Sequence, residues 1–168
     1  DMVLYIDGHN LIPKIPGMSL RQIDDEEHLI ELLQEYSRIS RKKVEVFFDR
    51  AAPGFNGDKT AGTILVHYIS EKTTADEAII RRVHAWGKRS KEITVVSSDH
   101  HVQNQVKALG AGMMTSDQFA REIVYLSQQS QLKNNKKDEP QPERPLSEKE
   151  IREWMDLFNS GPSEKYSK

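Results

Sequence analysis

Several apolar runs in this chain end at an aspartate, and that repetition narrows the possible folds more than any other feature. Val3 to Ile6 ("VLYI") leads into Asp7, Val44 to Phe48 ("VEVFF") into Asp49, and Glu92 to Ser98 ("EITVVSS") into Asp99. Short β-branched and apolar runs bounded by polar turns predict buried strands. Thr63 to Ile69 ("TILVHYI") predicts a further strand, and "MMTS" a short one. Helices are predicted between them. Residues 24 to 39 place Leu29, Leu32, Leu33 and Tyr36 on one face, behind an acidic first turn. In "TTADEAIIRRVHAWGKRS", Thr74 and Glu77 have capping-box spacing, and Ile79, Val83 and Trp86 line one face. "HVQNQVKALGAG" predicts a helix closed by Gly110 or Gly112, and "SDQFAREIVYLSQQSQ" one with Ser116 as N-cap. "RAAPGFNGDKTAG" is rich in Gly and Pro and reads as a loop. Strands alternating with helices predict an α/β fold, a mostly parallel central sheet covered on both faces.

The chain has 168 residues, room for one domain and an appendage. Residues 1–131 read as the domain. Residues 132–146 are polar and Pro-rich ("KNNKKDEPQPERP") and read as a linker. Residues 147–168 read as a short amphipathic helix and tail. There Ser147 and Glu150 have capping-box spacing, and Ile151, Trp154, Met155 and Phe158 recur at helical intervals. Such a face must dock, on its own domain or on a partner. Cysteine is absent, which excludes disulfides and thiolate metal sites and is in keeping with the cytoplasm. No apolar run approaches a membrane span, and no signal-peptide pattern opens the chain. Net charge is −2, so any polyanion would meet local basic patches: Arg38 to Lys43, and the run holding Arg81, Arg82, Lys88, Arg89 and Lys91.

In an open parallel sheet, ligands bind beyond the carboxyl ends of the strands, near the point where strand order reverses. Asp7, Asp49 and Asp99 fall at such ends, and Asp76 lies in a helical first turn that can face the same edge. Taken singly, each is a plausible turn, cap or helix-dipole residue. Together they would repel one another unless a cation sat among them. Oxygen ligands without Cys suit a hard ion, Mg²⁺ or Mn²⁺. Such an ion can activate water and stabilise an in-line phosphoryl displacement. Asn10 adds an amide for a carboxylate, a water or a phosphate oxygen.

"YIDGHNLI", "VEVFFDR", "TADEAI" and "VVSSDHHV", in that order, resemble the YacP-like NYN branch of the PIN-like nuclease superfamily. The resemblance spans residues 3 to about 126. It implies a PIN-like three-layer sandwich, Mg²⁺-dependent endoribonuclease activity, RNA as substrate, and a setting of translating ribosomes and messenger RNA cleavage. Carried over residue by residue, it makes Asp7, Asp76 and Asp99 the metal carboxylates, with Asn10 beside the first and Asp49 a further member. His9 stands where the family often has Tyr. The tail after Leu132 lies outside the match.

"SDHH" (Ser98 to His101) also fits the DHH phosphoesterases in part, but the companion motifs are missing. A receiver domain would need an acidic pair after the first strand and a Lys after the last, and neither is visible. A non-catalytic RNA- or ribosome-binding module of the same fold is the alternative from another class. RNA contacts are expected from Arg50, Phe55 and Lys59 in or beside the Gly-rich loop, from Arg81 and Arg82, and from His100. His84 reads as structural, and His28 and His67 as lacking a metal-ligand neighbour. The sequence leaves the oligomeric state open.

Overall fold

The computed structural model describes residues 2–20, 24–51, 54–138 and 147–164. The elements run β1 (Val3–Asp7), α1 (Gly8–Leu11), α2 (Asp25–Ser40), β2 (Lys43–Phe48), β3 (Gly57–Ala61), β4 (Ile64–Tyr68), α3 (Ala75–Trp86), β5 (Ile93–Val96), α4 (His100–Ala108), β6 (Gly112–Met114), α5 (Ser116–Asp138) and α6 (Glu148–Glu164). Short 3₁₀ turns follow α1 and α3. The six-stranded sheet has the order β3-β4-β2-β1-β5-β6. Every pair is parallel except β3 with β4. The chain steps from β1 to β2 and β4 on one side, then returns across β1 to β5 and β6. The reversal lies between β1 and β5, so a crevice is expected beyond the end of Asp7's strand.

The pleat sorts the strand residues into two cores. Leu4, Ile6, Val44, Val46, Phe48 and Ile64 face α2 and α5, where Leu29, Leu33, Phe119 and Ile123 meet them. Val3, Tyr5, Phe47 and Val95 face α3 and α4, where Ile79, Val83, Val102 and Val106 cover them. This is a three-layer sandwich. Each fully buried apolar side chain contributes about 1.5–3 kcal/mol over an exposed one. The alternation also sets the site: Asp7 has odd parity with Val3 and Tyr5, and so belongs to the α3–α4 side.

Two expectations need correction. The Gly- and Pro-rich segment is not all loop: Gly57–Ala61 forms β3, antiparallel to β4, through a turn in which Gly62 has φ 61°. Every β3 residue from Gly57 to Thr60 is exposed, so no apolar alternation announced an edge strand. The polar segment at Leu132 does not break the helix at once, and α5 continues to Asp138. Lys, Asn and Gln extend a helix that is already nucleated at little cost. The rest of the expected linker, residues 139–146, lies outside the described residues.

By contact density the chain divides into Asp1–Ser130 and Gln131–Lys168. In the second unit, Ser147 Oγ accepts from Glu150 N at 3.2 Å at the start of α6. Ile151, Met155 and Leu157 of α6 are exposed, and Trp154 is 38 % exposed. Among the described residues no helix is long and apolar enough to cross a membrane.

Candidate active site

Asp7 ends β1 with only 6 % of its surface exposed. Its Oδ1 accepts from Asn10 N at 3.4 Å and so caps the short α1. The turn is tight because Gly8 lies against the Phe48 ring, with no room for a Cβ. Just past the end of β2, Asp49 accepts a short hydrogen bond from Ala75 N. Thr74 Oγ1 accepts from Glu77 N at 3.1 Å, as its capping-box spacing predicts. These two caps bring the first turn of α3, and Asp76 with it, to the end of β1.

The carboxylates interact there. Asp7 is pushed up from 3.8 to about 8, first by burial, then by a hydrogen bond and charge repulsion from Asp76, then by the charge of Asp49. Without a counterion, a proton therefore stays on Asp7 and bridges it to Asp76. A cation among these oxygens would relieve the same repulsion.

Asp99 follows β5. Its Oδ1 accepts from His101 N at 2.8 Å and Val102 N at 3.3 Å, which makes it the N-cap of α4. It is not among the groups that raise Asp7. Its capping role and its expected ligand role use different lone pairs, so both fit one side chain.

Asn10 is held from behind. Its Oδ1 accepts from Ser98 N at 2.9 Å and from Ser116 Oγ at 2.6 Å. Ser116 N in turn donates to Ser98 Oγ at 3.1 Å. Ser116 is thus a brace for Asn10 rather than the N-cap of α5. The cap is Thr115, whose Oγ1 accepts from Gln118 N at 3.1 Å. The sequence offered Ser116 only as a cap, and no spacing signal could have joined it to Asn10, 106 residues away.

The expected RNA-contacting residues are scattered. Arg50 is exposed and takes φ 56° directly after Asp49. Phe55 is 76 % exposed, and Lys59 projects from β3. His100 is exposed in the first turn of α4, and Arg81 is exposed on α3. Arg82 is engaged elsewhere: it lies 3.8 Å from Glu45, 3.7 Å from Asp58 and over the Phe47 ring.

The two histidines expected to lack ligand-type neighbours both have them. Buried His67 lies 2.6 Å from Glu45 and 2.6 Å from Asp58, one at each ring nitrogen. His28 gathers with Asp24 and Asp25 at the start of α2, their ligand atoms within 4.8 Å of one another. The His67 contacts cross strand pairs, which linear spacing does not display, whereas Asp24 and His28 are an i,i+4 pair that the sequence does display. His9 packs near Phe48, with Nε2 2.5 Å from Glu26 Oε2.

The parallel sheet, its order reversal and the carboxylates gathered at its carboxyl edge define a nuclease-type α/β domain of the PIN-like class. The chain belongs to the YacP-like NYN domain family, which matches residues 4–159. It is 26 % identical over 126 residues to the protein YacP of Bacillus subtilis (strain 168), covering 72 % of this chain and 74 % of that one. The crystal structure of Rae1 (YacP) from Bacillus subtilis superposes with TM-score 0.66 at 20 % identity, over 99 % of this chain and 95 % of that one. A crystal structure of a tryptophan-to-leucine mutant of Rae1 gives TM-score 0.67 at 24 % identity, over 82 % and 86 %. These likenesses fix the fold, and the NYN family is a nuclease-type family with RNA-related function.

Proposed function

We propose that the chain is a divalent-metal-dependent endoribonuclease that hydrolyses RNA phosphodiester bonds, acting on messenger RNA in association with the ribosome, in the cytoplasm. The observation that carries this reading is the pairing of buried Asp7 with Asp76 beside Asp49, where burial and the neighbouring carboxylates together hold a proton on Asp7 that a cation could replace. The donor set is oxygen alone, which fits Mg²⁺ or Mn²⁺. Asp7 and Asp76 would hold the ion, with Asp49 as a further member of the cluster and the oxygen of Asp99 not used in capping as an outer ligand. When bound, such an ion supplies the charge that activates water and stabilises an in-line displacement at phosphorus. The protein's own part is orientation. The caps on α1, α3 and α4 fix the carboxylates, and Asn10, with its oxygen occupied by Ser98 and Ser116, presents its N–H donors. His100, Arg50 and Lys59 can donate to flanking phosphates.

A histidine acid–base mechanism would instead use the 2′-hydroxyl and leave a 2′,3′-cyclic phosphate. His100 and His101 are adjacent in the first turn of α4, so they project roughly 100° apart and do not flank one phosphate. The test is to incubate the protein with RNA, with and without ribosomes, in Mg²⁺ or EDTA. Cleavage lost in EDTA, with products degraded by a 5′-monophosphate-dependent exonuclease, is expected. His100→Ala should keep activity within roughly tenfold, since loss of a true general base typically costs more than 10²-fold. EDTA-resistant cutting that yields cyclic phosphate overturns the mechanism.

A further inference from the structure

Between α3 and α4 runs an open groove of about 510 Å³, lined by Glu77, Ile80, Arg81, His84, His101, Gln105 and Leu109. The size falls within the roughly 300–1,000 Å³ of small-ligand sites. Each helix contributes one stripe at helical spacing, residues 77, 80, 81 and 84 from α3 and 101 and 105 from α4, continued by Leu109 at the end of α4. The groove begins at the catalytic edge, for Glu77 follows Asp76 and His101 lies two residues beyond Asp99. From there it leads away along the helices.

We propose that this groove seats an unpaired nucleotide of the RNA, adjacent to the one at the carboxylates. This rests on the reading of the chain as RNA-acting. Ile80 and Leu109 give an apolar floor for a base. His84 and His101 offer flat rings, one from each wall, and unpaired bases stack on such rings. Gln105 offers both a donor and an acceptor to a base edge. Arg81 brings a guanidinium for the flanking phosphate and, unlike Arg82, makes no ion pair among the described residues. Glu77 is the one acid in the groove, and its Oε2 already accepts from Thr73 Oγ1 at 2.8 Å. The two rings, the apolar floor and the single guanidinium thus favour a flat base with one flanking phosphate over a peptide or a lipid. A duplex keeps its bases stacked and paired, so it has nothing to place on this floor.

The experiment measures binding of a fluorescently labelled single-stranded oligoribonucleotide to the full chain in EDTA, where no cutting intervenes. Arg81→Glu should weaken binding roughly tenfold or more, the scale of one stacked and phosphate-tethered base. Gln105→Glu should weaken it severalfold. Lys107→Glu, the same charge reversal on an exposed α4 position outside the groove, should stay within about twofold. In the unaltered protein, a 4-thiouridine-bearing strand should crosslink to α3 or α4 between residues 80 and 109. Equal losses for Arg81→Glu and Lys107→Glu, crosslinks confined to other segments, or duplex RNA bound as tightly as single strand would each overturn the proposal. The two readings fail separately. A wild-type protein that cuts RNA while groove variants bind normally removes the groove alone. One that binds single strands through the groove but does not cut removes the nuclease and leaves the groove.

Discussion

Ser116 Oγ donates to Asn10 Oδ1 at 2.6 Å, joining the start of α5 to the turn after β1. Ser116 is fully buried, and Ser98 N completes the pair of donors on the same oxygen. An amide whose oxygen is saturated cannot flip without orphaning a buried donor, which costs about 1–3 kcal/mol. The brace therefore settles which end of Asn10 is left for substrate or a carboxylate. Ser116→Ala is expected to lower stability by about 1–2 kcal/mol in denaturant unfolding. At temperatures well below the transition it should also lower the rate at saturating RNA roughly tenfold while KM holds, the signature of an interaction made chiefly in the transition state. A variant that loses stability but keeps its rate would reduce Ser116 to a packing residue.

The proton on Asp7 makes a pH prediction. Its folded-state value, about 8, lies above the ordinary 3.8. The folded protein therefore binds more protons than the unfolded chain between those values. The stability tied to Asp7 is fully present below about 4 and is lost as pH rises through about 8. In EDTA, wild type should lose stability relative to Asp7→Asn as pH goes from 5 to 9. At pH 9, Mg²⁺ should restore the wild type and leave Asp7→Asn unmoved, and Asp7→Asn should not cleave RNA. Thermal unfolding of both proteins with and without the ion reads this directly. A wild-type curve parallel to that of Asp7→Asn across the range would mean the carboxylates do not confront one another.

Gly8 is predicted to be irreplaceable for a steric reason. A Cβ there would overlap the buried Phe48 ring, which is itself held between His9 and Tyr68 at centroid separations of 5.3 and 5.9 Å. The ring has nowhere to go, so the turn carrying Asp7 and Asn10 must move instead. Gly8→Ala should cost about 1–3 kcal/mol, the usual range for overpacking. RNA cleavage should fall as well, since the displaced turn carries the site. A fully stable, active variant would show the turn to be softer than this packing implies.

What the sequence displayed was local. The strands that end in Asp, the Thr74 cap and the apolar stripe of α3 depend on residues within a few positions of one another, and periodicity reveals those. β3 was hidden because an exposed edge strand has no buried face to pattern. The Ser116 brace, the His67 contacts and the α3–α4 groove join segments far apart in the chain, so no spacing rule reaches them. Ser116 was even misassigned by the local rule: a Ser at a helix start reads as a cap, whereas Thr115 one position earlier takes that role. Arg82 looked like an available cation for the same reason, since the acids that engage it come from β2 and β3.

His67 shows what such a long-range contact holds in place. It sits on β4 with its ring stacked on Phe47 at 4.4 Å, and reaches Glu45 on β2 with one nitrogen and Asp58 on β3 with the other. Arg82 adds its charge from α3. The edge hairpin is thereby fastened to the sheet by a side chain as well as by its ladder. Replacing His67 with Leu keeps much of the volume but leaves Glu45 and Asp58 with Arg82 as their only partner among the described contacts. A loss of about 0.5–1.5 kcal/mol is expected, the net worth of an ordinary hydrogen bond, because Asp58 is largely exposed and water replaces the ring there. The loss should be concentrated in β3, which buries little of its own. Hydrogen exchange at the β3 amides, including Lys59 and Ala61, should quicken far more than exchange in β1 or β5. Uniform quickening across the sheet would show that His67 stabilises the core as a whole and does not fasten the hairpin.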